Sequence, residues 1–299
     1  MHWNEEKLMI GKIIRGIAGF YYVYIEGFGE YECKAKGIFR NRKIKPLVGD
    51  DVEVEILDKD LKTGNIVDIL ERKSELIRPA VANIDQAMII FAVSDPAPNY
   101  NLLDRFLVMM EQQGIKTIIC FNKMDKAEDE ERKKVEEVYR NTGYQILFTN
   151  ALGGDIEEVK AVLRGKSTAL AGPSGVGKSS LTNCLQSKVS MQTGQISEKI
   201  KRGKHTTRHS ELIYMEEHTY LLDTPGFSSL YLKDIEKEDL QAFYPEFNHY
   251  LGQCRFNGCA HINEPDCAVK DALNEGKISE SRYHNYKLLY EELKNQKKY

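Results

Sequence analysis

LAGPSGVGKSSLTN, residues 170–183, decides the fold. The apolar stretch STALAG leads into it, a helical stretch leaves it, and GPSGVGKS between them fits GxxxxGK[ST]. Glycines allow backbone amides to face phosphate oxygens with no Cβ in the way, and the following helix adds its positive end. Gly172, Pro173, Ser174, Gly175, Val176 and Gly177 form the expected cradle, with Ser180 in the first helical turn. Lys178 supplies a cation for the β and γ phosphates, and Ser179 a hydroxyl for Mg²⁺. A strand, a glycine loop and a helix in that order place the chain among α/β proteins with a parallel sheet.

The next signal outward lies upstream. FNKMD, residues 121–125, closes the apolar run IKTIICF, so NKMD sits at the strand end where ligands bind in such sheets. A carboxylate there accepts from guanine N1–H and the exocyclic amine together, a pair of donors adenine lacks. Asp125 is therefore the expected specificity residue, Asn122 ties neighbouring loops and reaches the base, and the Lys123 stem lies against its flat face. After the following strand, TNALGG offers a backbone amide at Asn150 or Ala151 to the guanine carbonyl oxygen. Downstream of the phosphate loop, DTPGF (223–227) offers Asp223 to Mg²⁺ through water and the Gly226 amide to the γ-phosphate. Before it, GKHTTRH (203–209) offers Thr206 and Thr207 to the metal; Thr207 is preferred.

Around these boxes, QAMIIFAV, NLLDRFLVMMEQQG, IKTIICFN, EDEERKKVEEVYRN, YQILFT and DIEEVKAVL alternate buried strand with amphipathic helix, the pattern of a doubly wound sheet. Residues 8–70 differ. Short alternating runs such as YVYIE and VEVEI, separated by turns, predict a small OB-like β-barrel. Within it, KAKGIFRNRKIK carries Lys34, Lys36, Arg40, Arg42, Lys43 and Lys45 with one aromatic, Phe39, and no acid. A solvated loop and a nucleic-acid track are both open for such a run; on an OB-type barrel, basic residues commonly follow a backbone while aromatics stack on bases.

Beyond residue 232, KDIEKEDLQAFYPEF reads as helical and the tail from 281 repeats Tyr283, Tyr286, Leu289, Tyr290 and Leu293 at helical spacing, a packing face. Between them stand Cys254, Cys259, His261 and Cys267. Three thiolates and an imidazole suit tetrahedral, structural Zn²⁺, although the spacing alone leaves unrelated buried thiols open. Cys33, Cys120 and Cys184 fall in strand or helix patterns and are expected in cores. The expected division is a barrel at 1–72, an α/β nucleotide domain at 73–232 and a helical zinc-binding domain at 233–299.

Composition sets the outer limits. With 299 residues and 41% hydrophobic content the chain suits a multidomain globular protein, and no apolar run is long enough to span a bilayer. The start, MHWNEEKLMIGKI, has early acids and no secretory pattern, so a cytoplasmic location is expected. Six cysteines, unevenly placed, do not make a disulfide framework. A net charge of −3 leaves nucleic-acid binding to local patches.

Base boxes ahead of phosphate boxes resemble the circularly permuted GTPases: a sheet reads its loops by position in space, so joined and reopened ends preserve every strand end. Together with the N-terminal barrel and the Cys-Cys-His-Cys tail, the chain resembles the ribosome small-subunit-dependent GTPase family over essentially its full length. That resemblance implies late maturation of the small ribosomal subunit, contact with its rRNA through the barrel, GTP as substrate, Mg²⁺, and one Zn²⁺ at the four residues named. It further implies that His205 orients the attacking water, since Phe227 stands where a glutamine often does and cannot hydrogen-bond water. Arg208 stands where many relatives carry a third threonine. The expected protein is a monomer with no membrane partner. The competing class is a nonenzymatic RNA-binding module using GTP as a conformational ligand; a zinc hydrolase is disfavoured by a closed metal site.

Overall fold

The computed structural model describes residues 8–37, 39, 44–76, 79–193, 210–223, 232 and 234–296. Packing divides the chain into two compact units. One comprises Met1–Ala87, Glu157–Leu170 and Thr182–Ser228; the other comprises Met88–Ile156, Ala171–Leu181 and Ser229–Tyr299.

The first unit is built on strands β1 (Leu8–Ile17), β2 (Phe20–Ile25), β3 (Gly29–Ala35), β4 (Asp51–Asp58) and β5 (Thr63–Ile69). β1 pairs with both β2 and β4, and β3 pairs in parallel with β5, so the order β1-β2-β3-β5-β4 closes on itself as a barrel. Two-residue alternation does the sorting. Val52, Val54 and Ile56 face the barrel core while Glu53 and Glu55 lie outside it, and Ile13, Val23, Ile25, Tyr31, Cys33 and Ile66 complete the interior. Phe39 joins this core at 3% exposure. Burial pushes the Cys33 thiol up to about 12, consistent with an inert core residue.

Short strands β6 (Glu75–Leu76) and β7 (Val81–Ala82) follow, then β8 (Gln86–Ala92), α1 (Tyr100–Gln112), β9 (Lys116–Asn122), α2 (Asp129–Tyr139), β10 (Gln145–Phe148), α3 (Glu157–Leu163), β11 (Ser167–Ala171) and α4 (Lys178–Thr193). β8 and β11 are buried along their whole lengths, as expected of strands covered on both faces. In the first unit, Gln86 donates to Thr168 Oγ1 at 3.0 Å, setting the start of β8 beside β11. β11 pairs in parallel with β13 (Thr219–Asp223), which forms a hairpin with β12 (Glu211–Glu216), and β12 pairs with β1. In the second unit the order is β10-β9-β8, with β10 and β9 parallel. Asn99 caps α1 by accepting from Leu102 N at 3.0 Å, and a capping box of Glu128 and Glu131 starts α2.

The C-terminal segment packs α5 (Ala268–Asn274) and α6 (Glu280–Asn295) on short 3₁₀ turns at Leu240–Phe243 and Pro245–Phe247. The helix expected over KDIEKEDLQAFYPEF is absent among the described residues. Pro245 lacks the N–H a continuing helix needs and clashes with the preceding turn, so the chain breaks into two turns around it. Tyr283, Tyr286, Leu289 and Leu293 are buried as the helical spacing predicts, against Tyr244, Phe247 and Val269 and against Val108 of α1. At the heart of this packing Arg282 is fully buried between Asp104 (2.6 Å) and Glu246 (2.7 Å). Tyr139 and Asn285 also donate to Asp104, at 2.9 and 2.6 Å. Burial opposes the Arg282 charge, but the two carboxylates outweigh it and hold the guanidinium pKa well above its usual value.

Candidate nucleotide site and metal centre

The phosphate loop begins where β11 ends, and two glycines show why no other residue serves. Gly172 has φ +140°, and a Cβ there would collide with the Ile90 carbonyl oxygen of β8. Gly177 has φ +92°, and its Cβ would strike the Asn122 amide. The loop thus lies directly against β8 and the end of β9. Val176 is buried while Ser174, Gly175 and Ser179 are exposed, which leaves the concave side open to a ligand. Lys178 donates to the carbonyl oxygens of Gly172 and Pro173, both at 2.6 Å, so its ammonium is folded over the loop it serves.

Asn122, 2% exposed, links the loop to those that follow β9 and β10. Its amide donates to Val176 O at 3.0 Å, and its Oδ1 accepts from Ala151 N at 3.1 Å. The residues expected from FNKMD, TNALGG and GPSGVGKS are therefore brought together in one unit. Asp125 is exposed in a 3₁₀ turn, Met124–Lys126, at the end of β9. Lys123 adopts a left-handed conformation, φ 64°, and donates to Asp95 O at 2.5 Å. Asn150 closes its own turn by accepting from Gly153 N at 3.0 Å. Asp95 was not legible beforehand: it also binds Lys126 at 2.7 Å, which holds its carboxyl below the usual range. Only its place just past a buried strand hinted at a role.

Asp223 ends β13, whereas His205, Thr206, Thr207 and Gly226 lie outside the described residues.

Cys254, Cys259, His261 and Cys267 converge, with their ligand atoms all within 4.8 Å of one another. His261 Nδ1 lies 3.6 Å from Cys254 Sγ and 3.3 Å from Cys267 Sγ, and the two sulfurs are 3.9 Å apart. Tetrahedral Zn²⁺ with Zn–S about 2.3 Å and Zn–N about 2.0 Å places sulfurs roughly 3.8 Å apart and nitrogen roughly 3.5 Å from sulfur, so the set fits that ion. His261 Nε2 is 2.7 Å from Gln241 Oε1; a proton on Nε2 satisfies that contact and leaves Nδ1 as the ligand atom. Burial lowers the His261 pKa, favouring the neutral ring a metal requires. Glu264 shapes the loop by accepting from the amides of Ala260, Ile262 and Asn263 at 2.9–3.1 Å. The hydroxyls of Tyr283 and Tyr286 donate to His261 O and Ala260 O at 2.7 and 2.8 Å, so the aromatic face of α6 also anchors the cluster. Gln241 escaped sequence reading because it is 20 positions from the histidine and carries no metal-ligand signature.

In the basic stretch of the barrel, Phe39, a candidate for stacking on bases, is instead a core residue, because the ring of the one aromatic in the stretch gains from burial in the barrel interior. Lys36 pairs with Glu55 at 2.8 Å, Lys34 lies 5.0 Å over the Phe20 ring, and Lys45 is exposed. Arg40, Arg42 and Lys43 lie outside the described residues. Among those residues no helix is long and apolar enough to cross a membrane.

Comparison with known proteins agrees with this geometry. The RsgA GTPase family profile matches residues 69–233 and the RsgA N-terminal domain profile matches residues 10–66. A small ribosomal subunit biogenesis GTPase RsgA of Agathobacter rectalis is 59% identical, covering 97% of this chain and 100% of that protein. Its namesake in Alkaliphilus metalliredigens is 47% identical, covering 97% and 99%. Among solved structures, YjeQ from Thermotoga maritima superposes with TM-score 0.81 at 36% identity, covering 97% and 100%. YloQ, described as a circularly permuted GTPase, gives 0.79 at 37% identity over 100% of both chains. With strand β9 and its NKMD box ahead of β11 and its GPSGVGKS box in sequence, and the two loops joined through Asn122, the chain belongs to the RsgA GTPase family and is a circularly permuted GTP hydrolase.

Proposed function

We propose that this GTPase acts in late maturation of the small ribosomal subunit: it binds rRNA on the subunit, hydrolyses GTP faster there, and leaves as hydrolysis proceeds. The nucleotide half is supported by the pair of Asn122 hydrogen bonds, which tie three sequence boxes together. The subunit half is supported by the names of relatives aligned over nearly all of the chain.

In this reading Asp125 selects guanine, with Asn122, Lys123, Asn150 and Ala151 shaping its pocket. The amides of 172–177, Lys178 and Ser180 bind the phosphates. Ser179, Thr207 and Asp223 hold Mg²⁺, which supplies charge neutralisation on the phosphates when bound. Gly226 reads the γ-phosphate and His205 orients water. Lys178 leaves the carbonyls of Gly172 and Pro173 for phosphate oxygens, a stronger charge-assisted partner. Zn²⁺ at Cys254, Cys259, His261 and Cys267 is structural, because four protein ligands leave no open position. Residues 1–72 contact rRNA with their exposed lysines, 73–232 carry the reaction and 233–299 form the zinc domain. The protein works as a cytoplasmic monomer.

Lys178→Ala tests the site. Turnover at the wild-type rate in that variant contradicts the assignment; loss of turnover in a folded protein supports it.

A further inference from the structure

The barrel holds the β12–β13 hairpin along its length. Arg15 of β1 registers with Glu211 of β12, Glu211 with Asp223 of β13, and Asp223 with Leu170 of β11, so all four stand in one transverse row. With neighbouring strands about 4.8 Å apart, the Arg15 backbone is on the order of 10 Å from that of Asp223. Side chains reinforce the row at its barrel end. Arg15 donates from Nη1 to Glu211 at 3.1 Å and from Nη2 to Glu30 at 2.5 Å, with its guanidinium 4.1 Å from the centre of the Tyr22 ring. Arg15 and Glu211 side chains are 14% and 23% exposed, so this pair is screened far less than an ordinary surface ion pair.

Further along, Tyr24 of β2 stacks on Tyr214 of β12 at 4.0 Å, and Tyr220 of β13 meets Tyr214 edge-on at 5.6 Å. At the hairpin turn His218 lies 3.2 Å from Glu26. The hairpin therefore has a fixed support on its barrel side. In sequence, β12 is entered from the 203–209 segment and β13 runs into DTPGF, the two segments given the metal and γ-phosphate above; the inference rests on that assignment.

We propose that Arg15, although it lies in the barrel, is a positioning residue for GTP hydrolysis: through Glu211 it fixes the strand that ends at Asp223. Displacements of about 1 Å at a reacting centre can cost on the order of a hundredfold in rate, so the register of this row matters to the chemistry.

The test is steady-state GTP hydrolysis by full-length Arg15→Ala, Arg15→Lys, Glu211→Gln and the Arg15→Ala/Glu211→Gln double variant, with rates per nucleotide-binding site and melting curves alongside. Expected is a kcat lowered roughly three- to tenfold in Arg15→Ala and Glu211→Gln, with KM for GTP within about twofold. Arg15→Lys should lie between wild type and Arg15→Ala, because one ammonium cannot reproduce the fork between two carboxylates. The double variant should be no worse than the worse single one. An unchanged kcat, a KM rising in step with the loss, or fully additive losses would overturn the proposal. Should Arg15→Ala fail to fold, the near-isosteric Glu211→Gln decides alone. Lys178→Ala run in parallel separates the readings: inactive Lys178→Ala with unaffected Arg15 and Glu211 variants defeats this inference only, whereas active Lys178→Ala defeats the site assignment itself.

Discussion

Asn122 and Val176 are 54 positions apart, and the Asn122 amide donates to the Val176 carbonyl oxygen at 3.0 Å in a buried contact. This bond fastens the NKMD loop to the GPSGVGKS loop whichever comes first along the chain. Permutation changes the connections between strands; it leaves the loops at the strand ends where they were.

Asn122→Ala removes both the donor to Val176 and the acceptor for Ala151 N. Leaving buried backbone groups unmatched costs about 1–3 kcal/mol each. GTP and GDP affinities should both fall by at least roughly tenfold, measurable by equilibrium titration with a fluorescent guanine nucleotide.

Asp125→Asn exchanges an acceptor for a donor at the guanine edge. Hydrogen bonds to charged groups carry roughly 1.5–3 kcal/mol, so GTP affinity should drop on the order of 10- to 100-fold while xanthosine triphosphate, with a carbonyl in place of the amine, gains. Competition between the two nucleotides reads this directly; equal losses for both would point to a damaged fold.

The metal centre predicts one Zn²⁺ per chain, released by chelator together with a lower melting temperature. Gln241→Ala should weaken metal affinity about 10- to 100-fold, since the His261 ring loses the partner that fixes its tautomer. Affinity should also decline as pH falls, because binding needs thiolates and a neutral imidazole. Chelator titration of the purified protein across pH, with zinc quantified by dye and melting curves alongside, covers all three.

Arg282→Met leaves Asp104 and Glu246 buried without their cation. Breaking such a pair from one side costs about 3–5 kcal/mol, so the denaturant midpoint of Arg282→Met should fall well below that of the wild-type protein.

What the sequence revealed and what it hid follow from the range of the interactions. The phosphate loop, FNKMD and the Cys-His cluster are read from a few adjacent residues whose chemistry admits few alternatives. The barrel was legible because Val52, Val54 and Ile56 alternate with acids over a whole strand. The burial of Phe39 has no local signal, because the residues it clusters with, such as Ile13 and Val54, come from distant strands. Pro245 is a local signal that divides KDIEKEDLQAFYPEF into two turns. Arg282 carries no local signal, since nothing near it in sequence announces that Asp104, 178 positions away, closes on it. Gln241 and Asp95 work through other side chains and leave no motif.

The most direct measurement is GTP hydrolysis by the purified protein alone, with small ribosomal subunits and with large subunits as control. The account predicts slow intrinsic turnover and strong stimulation by small subunits only. Multiple turnover that is indifferent to small subunits, in a protein that binds GTP normally, would contradict it.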